Sequence, residues 1–411
     1  MNRKLRDHAD RILRSAITAV MPDAAVRRAL EGMDFSGRVI LVAVGKAAWQ
    51  MANTAYRCLG SNIHDGIIIT KYGHSRGSVG NLRCMEAGHP VPDENTFAAT
   101  RTALRMVSGL TKEDTVLFLL SGGGSALFED PLISPQELQD ITGQLLGSGA
   151  DIVQINTIRK RLSGVKGGRF AQHCAPAKVY SVVLSDIIGD PLDMIASGPS
   201  FPDSSTGEEA LKIAEKYRLR LSAGAMEYLR RETPKVLPNA GGCVTGSVRQ
   251  LCAAAARAAE DLGYEPTVLT DQLCCEAREA GSFLASVART HHGCGKRLAF
   301  IAGGETVVKV TGTGKGGRNQ ELALAAAPGI AGLPNVCVFS VGSAGTDGPT
   351  DAAGGYVDGD TCEELREKGV DIHRILADND AYHALKAVDG LLITGPTGTN
   401  VNDVAVLLID N

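Results

Sequence analysis

A chain of 411 residues is longer than a single core ordinarily serves, and two domains are expected. Its 42 Lys and Arg against 46 Asp and Glu leave a formal net charge of -4, which excludes a nucleic-acid or anionic-membrane partner held by bulk charge and leaves phosphate recognition to local devices. No apolar run approaches the ~18 residues of a membrane span, Met1 to Ile17 lack a secretory core, and the ten scattered cysteines form no CxxC pair, so a soluble cytoplasmic protein with reduced thiols is expected.

Leu5, Ile12, Leu13, Ala16 and Ile17 recur at near-helical spacing and predict a helix over about Leu5 to Val20. Strand-like and helical runs then alternate: strand Arg38 to Val44, helix Ala47 to Leu59, strand Asp65 to Thr70, helix Thr96 to Ser108 and strand Thr115 to Leu120. A helix pair, Ser134 to Leu146 and Ile152 to Leu162, leads to strand Val179 to Ser185. This alternation predicts an α/β fold with a Rossmann-like parallel sheet under helices. From Pro199 to Pro238 the composition changes, and a junction is placed near its end. The expected domains are therefore 1–240 and 241–411, with the helical start, about 1–37, able to pack on either. Beyond Gly241 and Gly242 a second α/β series is predicted: a strand near Val244, helix Arg249 to Leu262, strand Thr267 to Thr270, helix Glu276 to Arg289, and strands Leu298 to Ala302 and Val307 to Val310. Helix Asn319 to Ala327, strand Val336 to Val341, two short helices and a closing strand Leu391 to Thr394 complete it.

Ligands of open parallel sheets bind at the carboxyl ends of the strands, so residues just beyond each predicted strand carry the chemistry. Val44 runs into Gly45 and Lys46, a single cation at a strand-to-helix turn, where a solvated lysine is the structural alternative. Leu120 runs into Ser121, Gly122, Gly123, Gly124 and Ser125, whose three glycines bare main-chain N–H groups and form a candidate anion cradle. No Walker A spacing occurs anywhere. Asn156, Arg159, Lys160 and Lys166 belong to a basic run suited to polyphosphate or a carboxylate, or equally to a solvated helix face. Asp186 at the end of a strand, with Asp190 four residues on, offers carboxylates for magnesium or for a hydroxyl proton, against a plain role in turns and caps. Gly312, Gly314 and Gly317 satisfy GxGxxG, but the acidic residue a dinucleotide site needs is missing, and Arg318 beyond them reads as a charge clamp at a helix start. Gly316, Gly317, Asn319 and Glu321 flank that clamp. Asp347 and Asp351 sit in one small-residue loop, and Thr397 and Asn400 in another.

The stretches VAVGKAAWQMA, GHPVPDE, LSGGGSALFEDP, NTIRKRLSGVKGGRFA, VVLSDIIGDPLDMIASGPSFPD, GGETVVKVTGTGKGGRNQELALAAA, SAGTDGPTDAAGG and GPTGTNVNDVAVLL run in order from about residue 40 onward. They resemble the class II glycerate 2-kinases, whose C-terminal region is called MOFRL and whose members often carry the name hydroxypyruvate reductase. The resemblance implies transfer of the γ-phosphoryl of ATP, with magnesium, to the C2 hydroxyl of D-glycerate in a cleft between two α/β domains. By motif, Lys46 and Arg318 are similar to the family's charge-stabilising pair and Asp186 to its acidic residue. One departure is local: the family pattern has more residues between Gly348 and Pro349 than this chain. D-glycerate and ATP are thus the expected small-molecule partners, and a homodimer is left open. The rival readings are an NAD(P)-dependent hydroxypyruvate reductase and a non-catalytic sensor of a phosphorylated metabolite.

Overall fold

A computed structural model describes residues 1–410. The chain divides into two compact units. One comprises Ala25–Ser185 and Asp190–Thr245; the other comprises Met1–Ala24, Asp186–Gly189 and Gly246–Asn411. No helix among the described residues is long and apolar enough to cross a membrane.

The first unit is built on six strands: β1 (Val39–Val44), β2 (Ile63–Lys71), β3 (Arg83–Ala87), β4 (Thr115–Leu120), β5 (Lys178–Leu184) and β6 (Ala240–Gly246), in the spatial order β3-β2-β1-β4-β5-β6. β3, β2, β1, β4 and β5 pair in parallel. β1 and β4 are buried at every position, which is why their sequences, VILVAV and TVLFLL, are continuously apolar instead of alternating. Two predictions change here. The strand expected near Val244 opens no second series; as β6 it is the last strand of this sheet. β3 was not foreseen because it lies at the sheet edge and buries little, so RCMEA shows no apolar period.

At the amino ends of the strands, Asp114 accepts hydrogen bonds from Arg38 N (3.2 Å), Arg38 Nε (3.0 Å), Arg38 Nη2 (2.7 Å), Thr111 N (2.7 Å) and Thr111 Oγ1 (3.0 Å). The Arg38 guanidinium first, and then the Thr111 amide, hold this carboxyl well below the usual carboxylate range. A depressed carboxyl stabilises the fold fully above its unfolded value, about 3.9, and that stabilisation is lost as pH falls below it. The urea midpoint is therefore expected to drop as pH is lowered from about 5 towards 2, and Asp114→Asn, already less stable at pH 7, should lose less over the same span. Parallel losses in the two proteins would remove Asp114 from the acid transition.

The second unit carries β7 (Glu265–Leu273), β8 (Arg297–Gly304), β9 (Val336–Gly342), β10 (Gly354–Asp358), β11 (Leu391–Leu392) and β12 (Asp403–Asp410), in the order β11-β10-β9-β12-β8-β7. β7 and β8 run parallel; β12 lies antiparallel between β8 and β9, and β10 is antiparallel to β9 and β11. Both faces are covered. Val404, Val406 and Leu408 of β12 join the core beneath helices Arg3–Ala19 and Val248–Asp261, while Ala405, Leu407 and Ile409 join the core beneath helices Ala277–His291 and Arg318–Ile330. The predicted strand Val307 to Val310 is absent, since Val307 makes a lone bridge to Glu276 and Val308, Lys309 and Val310 are exposed or half-exposed. The predicted closing strand is only Leu391–Leu392; the true last strand, β12, sits in mid-sheet.

Candidate active site

β1 and β4 lie side by side in register, Val44 opposite Leu120, with β2 and β3 continuing on one side and β5 on the other. Neighbouring strands whose connections depart in opposite directions leave a crevice at their carboxyl ends. Gly45–Lys46 and Ser121–Ser125 occupy those two ends. Ser121 N donates to Val44 O (3.0 Å), Lys46 N donates to Gly122 O (2.9 Å), and Ala47 N donates to Ser121 Oγ (3.1 Å), so the two loops are stitched into one surface.

Gly123 has φ 87°, and a Cβ placed on it would stand 3.0 Å from His89 Cδ2 and 3.4 Å from Lys46 Cε. The turn is therefore bare because a lysine stem and an imidazole lie over it. His89 is half-buried; burial first, and then Lys46, Lys71 and His74, lower its pKa, which keeps the ring neutral at pH 7. GHPVP is among the motifs that point to the site, but the place of His89 over Gly123 cannot be read from it. The left-handed run Ala196, Ser197 and Gly198 (φ 49°, 63° and 62°) supports the turn from the other side. Ser197 Oγ stands 3.0 Å from Ser125 Oγ and donates to Asn156 Oδ1 (3.0 Å). Non-glycine residues in this region are strained, and such strain concentrates at functional sites.

Most of the basic run is consumed inside the fold, which corrects its reading as a ligand-facing patch. Lys160 is buried against Asp203 (3.0 Å) and Asp193 (3.4 Å), and Lys166 against Glu129 (2.5 Å) and the Phe128 carbonyl (2.9 Å). Burial pushes the Lys166 ammonium down to about 8, with Glu129 opposing the shift. Arg159 differs. Its Nη2 donates to Ser125 O (3.1 Å), its Nε is buried without a partner, and it lines a 640 Å³ cavity with Pro90, Phe97, Leu138 and Ile155.

In the second unit the glycine-rich loop is not an open anion nest. Five consecutive amides are already taken: Thr311 N and Gly312 N donate to Asn379 Oδ1 (2.7 and 3.0 Å), Thr313 N to Asp378 Oδ1 (3.0 Å), Gly314 N to Asp378 O (2.9 Å) and Lys315 N to Asp380 Oδ1 (2.9 Å). Oxygens of Asp378, Asn379 and Asp380 stand where a pyrophosphate would have to lie, so the GxGxxG match is not a dinucleotide fingerprint. Glu321 likewise turns inward, accepting from Arg278 Nε (2.6 Å) and Asn379 Nδ2 (3.1 Å), and Asn319 is buried, accepting from Ser340 Oγ (2.6 Å). Asp347 is buried under the start of helix Arg318–Ile330, where its carboxylate accepts from Gln320 N (2.9 Å) and Asn319 Nδ2 (3.3 Å). It caps that helix from outside, and a Cβ on Gly317 would come within 2.3 Å of its Cγ. Asp351 is exposed and accepts from Tyr382 Oη (2.7 Å). Thr397 Oγ1 donates to Ser343 O (2.5 Å), and Asn400 is exposed.

Arg318 stays half-exposed. Its Nε donates to Asp403 Oδ2 (2.5 Å), Nη2 to Asp403 Oδ1 (3.2 Å), and Nη1 pairs with Glu305 Oε1 (2.9 Å). Neither carboxylate was singled out from the sequence, because each is tied to Arg318 by the fold and not by a local motif. Asp186 is half-buried, and its carbonyl accepts from Asn402 Nδ2 (3.1 Å). Asp190 has φ 52° and a buried Oδ1 that lacks a hydrogen-bond partner.

Residues 8–230 match a family described as a domain of unknown function (DUF4147), and residues 298–403 match the MOFRL family. A D-glycerate 2-kinase of Thermotoga maritima is 53% identical over 98% of both chains. The chain belongs to the MOFRL-domain glycerate 2-kinase family. A crystal structure of glycerate kinase from Thermotoga maritima matches with a TM-score of 0.96, 52% identity and complete coverage of both chains. A relative from Agrobacterium vitis, 37% identical over 91% of this chain and all of its own, is named provisionally as a hydroxypyruvate reductase.

Proposed function

We propose that the protein transfers the γ-phosphoryl group of ATP to the C2 hydroxyl of D-glycerate, giving 2-phosphoglycerate and ADP. The observation that carries this reading is Lys46 over a bare glycine turn at the β1/β4 switch point, in a chain that aligns end to end with a D-glycerate 2-kinase. Phosphoryl transfer asks a protein mainly for placement and for cations that meet charge on the transferring oxygens. Lys46 and Arg318 are assigned that charge, and the turn Ser121–Ser125 an anionic group of glycerate or nucleotide. Asp186 is assigned the C2 hydroxyl, whose oxygen attacks the γ-phosphorus as its proton departs and ADP leaves.

No group of three or more His, Cys, Asp or Glu side chains is arranged to hold a metal among the described residues. A nucleotide-borne magnesium needs only one or two protein carboxylates beside phosphate oxygens and water. The unpartnered buried oxygen of Asp190 fits that requirement, so Asp190 and Asp186 are the residues proposed to hold it. When bound, the ion supplies neutralisation of phosphate charge.

The hydroxypyruvate reductase reading draws on the Gly312–Gly317 match and on the names of two relatives. Against it stands the loop Thr311–Lys315, whose amides are occupied. Purified protein with D-glycerate, ATP and magnesium is expected to release ADP and to yield a product that enolase consumes directly. A product that needs phosphoglycerate mutase first would move the phosphate to C3. NADH consumption with hydroxypyruvate and no ATP turnover would replace the kinase with the reductase, and glycerate binding without any turnover would leave the sensor.

A further inference from the structure

The two carboxylates on Arg318 differ in almost everything except charge. Asp403 opens β12, is buried, and takes the side-on edge of the guanidinium, Nε and Nη2 together. Glu305 follows the last residue of β8, its side chain is 44% exposed, and it touches Nη1 alone. β8 and β12 pair with Gly304 opposite Asp403, so both carboxylates leave the same end of two adjacent strands. Asn402, in the left-handed region at φ 66°, donates Nδ2 to Glu305 Oε2 (3.1 Å) and to the Asp186 carbonyl (3.1 Å).

We infer that Asp403 is the positioning residue for Arg318, and that Glu305 is a stand-in anion which a substrate phosphate displaces from Nη1. The inference rests on the kinase reading above. A guanidinium is a rigid planar fork, so a carboxylate fixed on its Nε–Nη2 edge dictates where its remaining N–H groups point. Asp403 is fixed because it is buried at a strand start and cannot swing away without leaving an uncompensated charge. Glu305 is replaceable because an ion pair with an exposed partner contributes little and is screened by salt. A phosphate oxygen carries more charge than a carboxylate oxygen and can take the same N–H. The arrangement keeps Arg318 oriented and satisfied before substrate arrives, so the cation needs no reorganisation at the moment of transfer.

The test uses the full chain in four forms, wild type, Asp403→Asn, Glu305→Gln and Arg318→Ala, with inorganic tripolyphosphate as the binding probe at low salt and steady-state kinetics with ATP and D-glycerate. Glu305→Gln is expected to bind tripolyphosphate roughly three- to tenfold more tightly and to lower the KM for ATP, with thermal stability unchanged. Asp403→Asn is expected to bind the probe within a few-fold of wild type yet to lose at least about tenfold in kcat, the split that a merely structural role would not produce. Should Asp403→Asn fail to fold by circular dichroism, Asp403→Glu, which keeps the charge on a longer arm, should fold and still lose turnover. Weaker probe binding in Glu305→Gln, like that of Arg318→Ala, would overturn the stand-in role, and wild-type kcat in a folded Asp403 variant would overturn the positioning role. If the wild type shows no kinase turnover, the kinase reading fails, while the tripolyphosphate comparison still decides whether Glu305 competes with phosphate.

Discussion

Lys46→Ala is expected to lower kcat about a hundredfold, the equivalent of about 3 kcal/mol, while the KM for D-glycerate moves by no more than a few-fold. A cation that meets charge appearing on the transferring oxygens acts mainly on the transition state, so its loss shows in turnover more than in ground-state binding. Lys46 suits that task because its charge is not spent elsewhere. Its residue is exposed, its main chain is pinned to Gly122, and its stem crosses Gly123. Lys160 and Lys166, by contrast, are neutralised within the fold. The variant should fold normally, since an exposed side chain without an ion-pair partner leaves nothing buried and uncompensated behind. Steady-state kinetics beside a thermal melt check both halves. A kcat within a few-fold of wild type would return Lys46 to the solvated turn residue that its sequence context also allows.

Lys166→Ala should do the opposite, costing about 3–5 kcal/mol of stability through a charge left alone in the interior. Glu129 is fully buried and relies on the Lys166 ammonium at 2.5 Å, with the Arg159 guanidinium as far off as 4.0 Å. Against a total stability of about 5–15 kcal/mol, such a loss moves the urea midpoint far enough to measure without ambiguity. Replacing both partners, as in Lys166→Met with Glu129→Gln, should recover much of it, because no charge then remains to be buried. If Lys166→Ala kept the wild-type midpoint and lost only activity, the lysine would belong to the substrate after all.

Lys160 and Lys166 also mark how far the sequence could be read. Both belong to a basic run that the sequence alone reads equally as ligand cations or as a solvated helix face. What removes them from it is the company of Glu129 and Asp203, 37 residues before Lys166 and 43 after Lys160, and no local pattern announces those pairings. The glycine turn was legible because three glycines directly after an apolar strand give up side-chain packing for bare main chain, which a purely structural turn seldom needs. The run Gly312–Gly317 looked similar, yet the amides of Gly312 to Lys315 are taken by residues Asp378–Asp380, over 60 positions away. Alternation of strand-like and helical runs revealed the parallel sheet, where burial on both faces makes each strand a plain apolar word. It failed for β3, whose edge position hides the pattern, and for β10, a five-residue strand that opens on two glycines. Asp403 and Glu305 escaped notice because their meaning lies in the pairing of β8 with β12.

The N-terminal helix Arg3–Ala19 buries Leu5, Ala9, Ile12, Leu13 and Ala16 against residues of helix Val248–Asp261, within a unit otherwise composed mostly of residues beyond 245. On a ribosome this order matters. The partner helix begins roughly 230 residues later, so at about 5–20 residues per second the apolar stripe has nothing to cover it for on the order of 10–50 s. During that interval the intervening unit has time to collapse alone, while the uncovered apolar stripe stays open to association with neighbouring chains on a polysome.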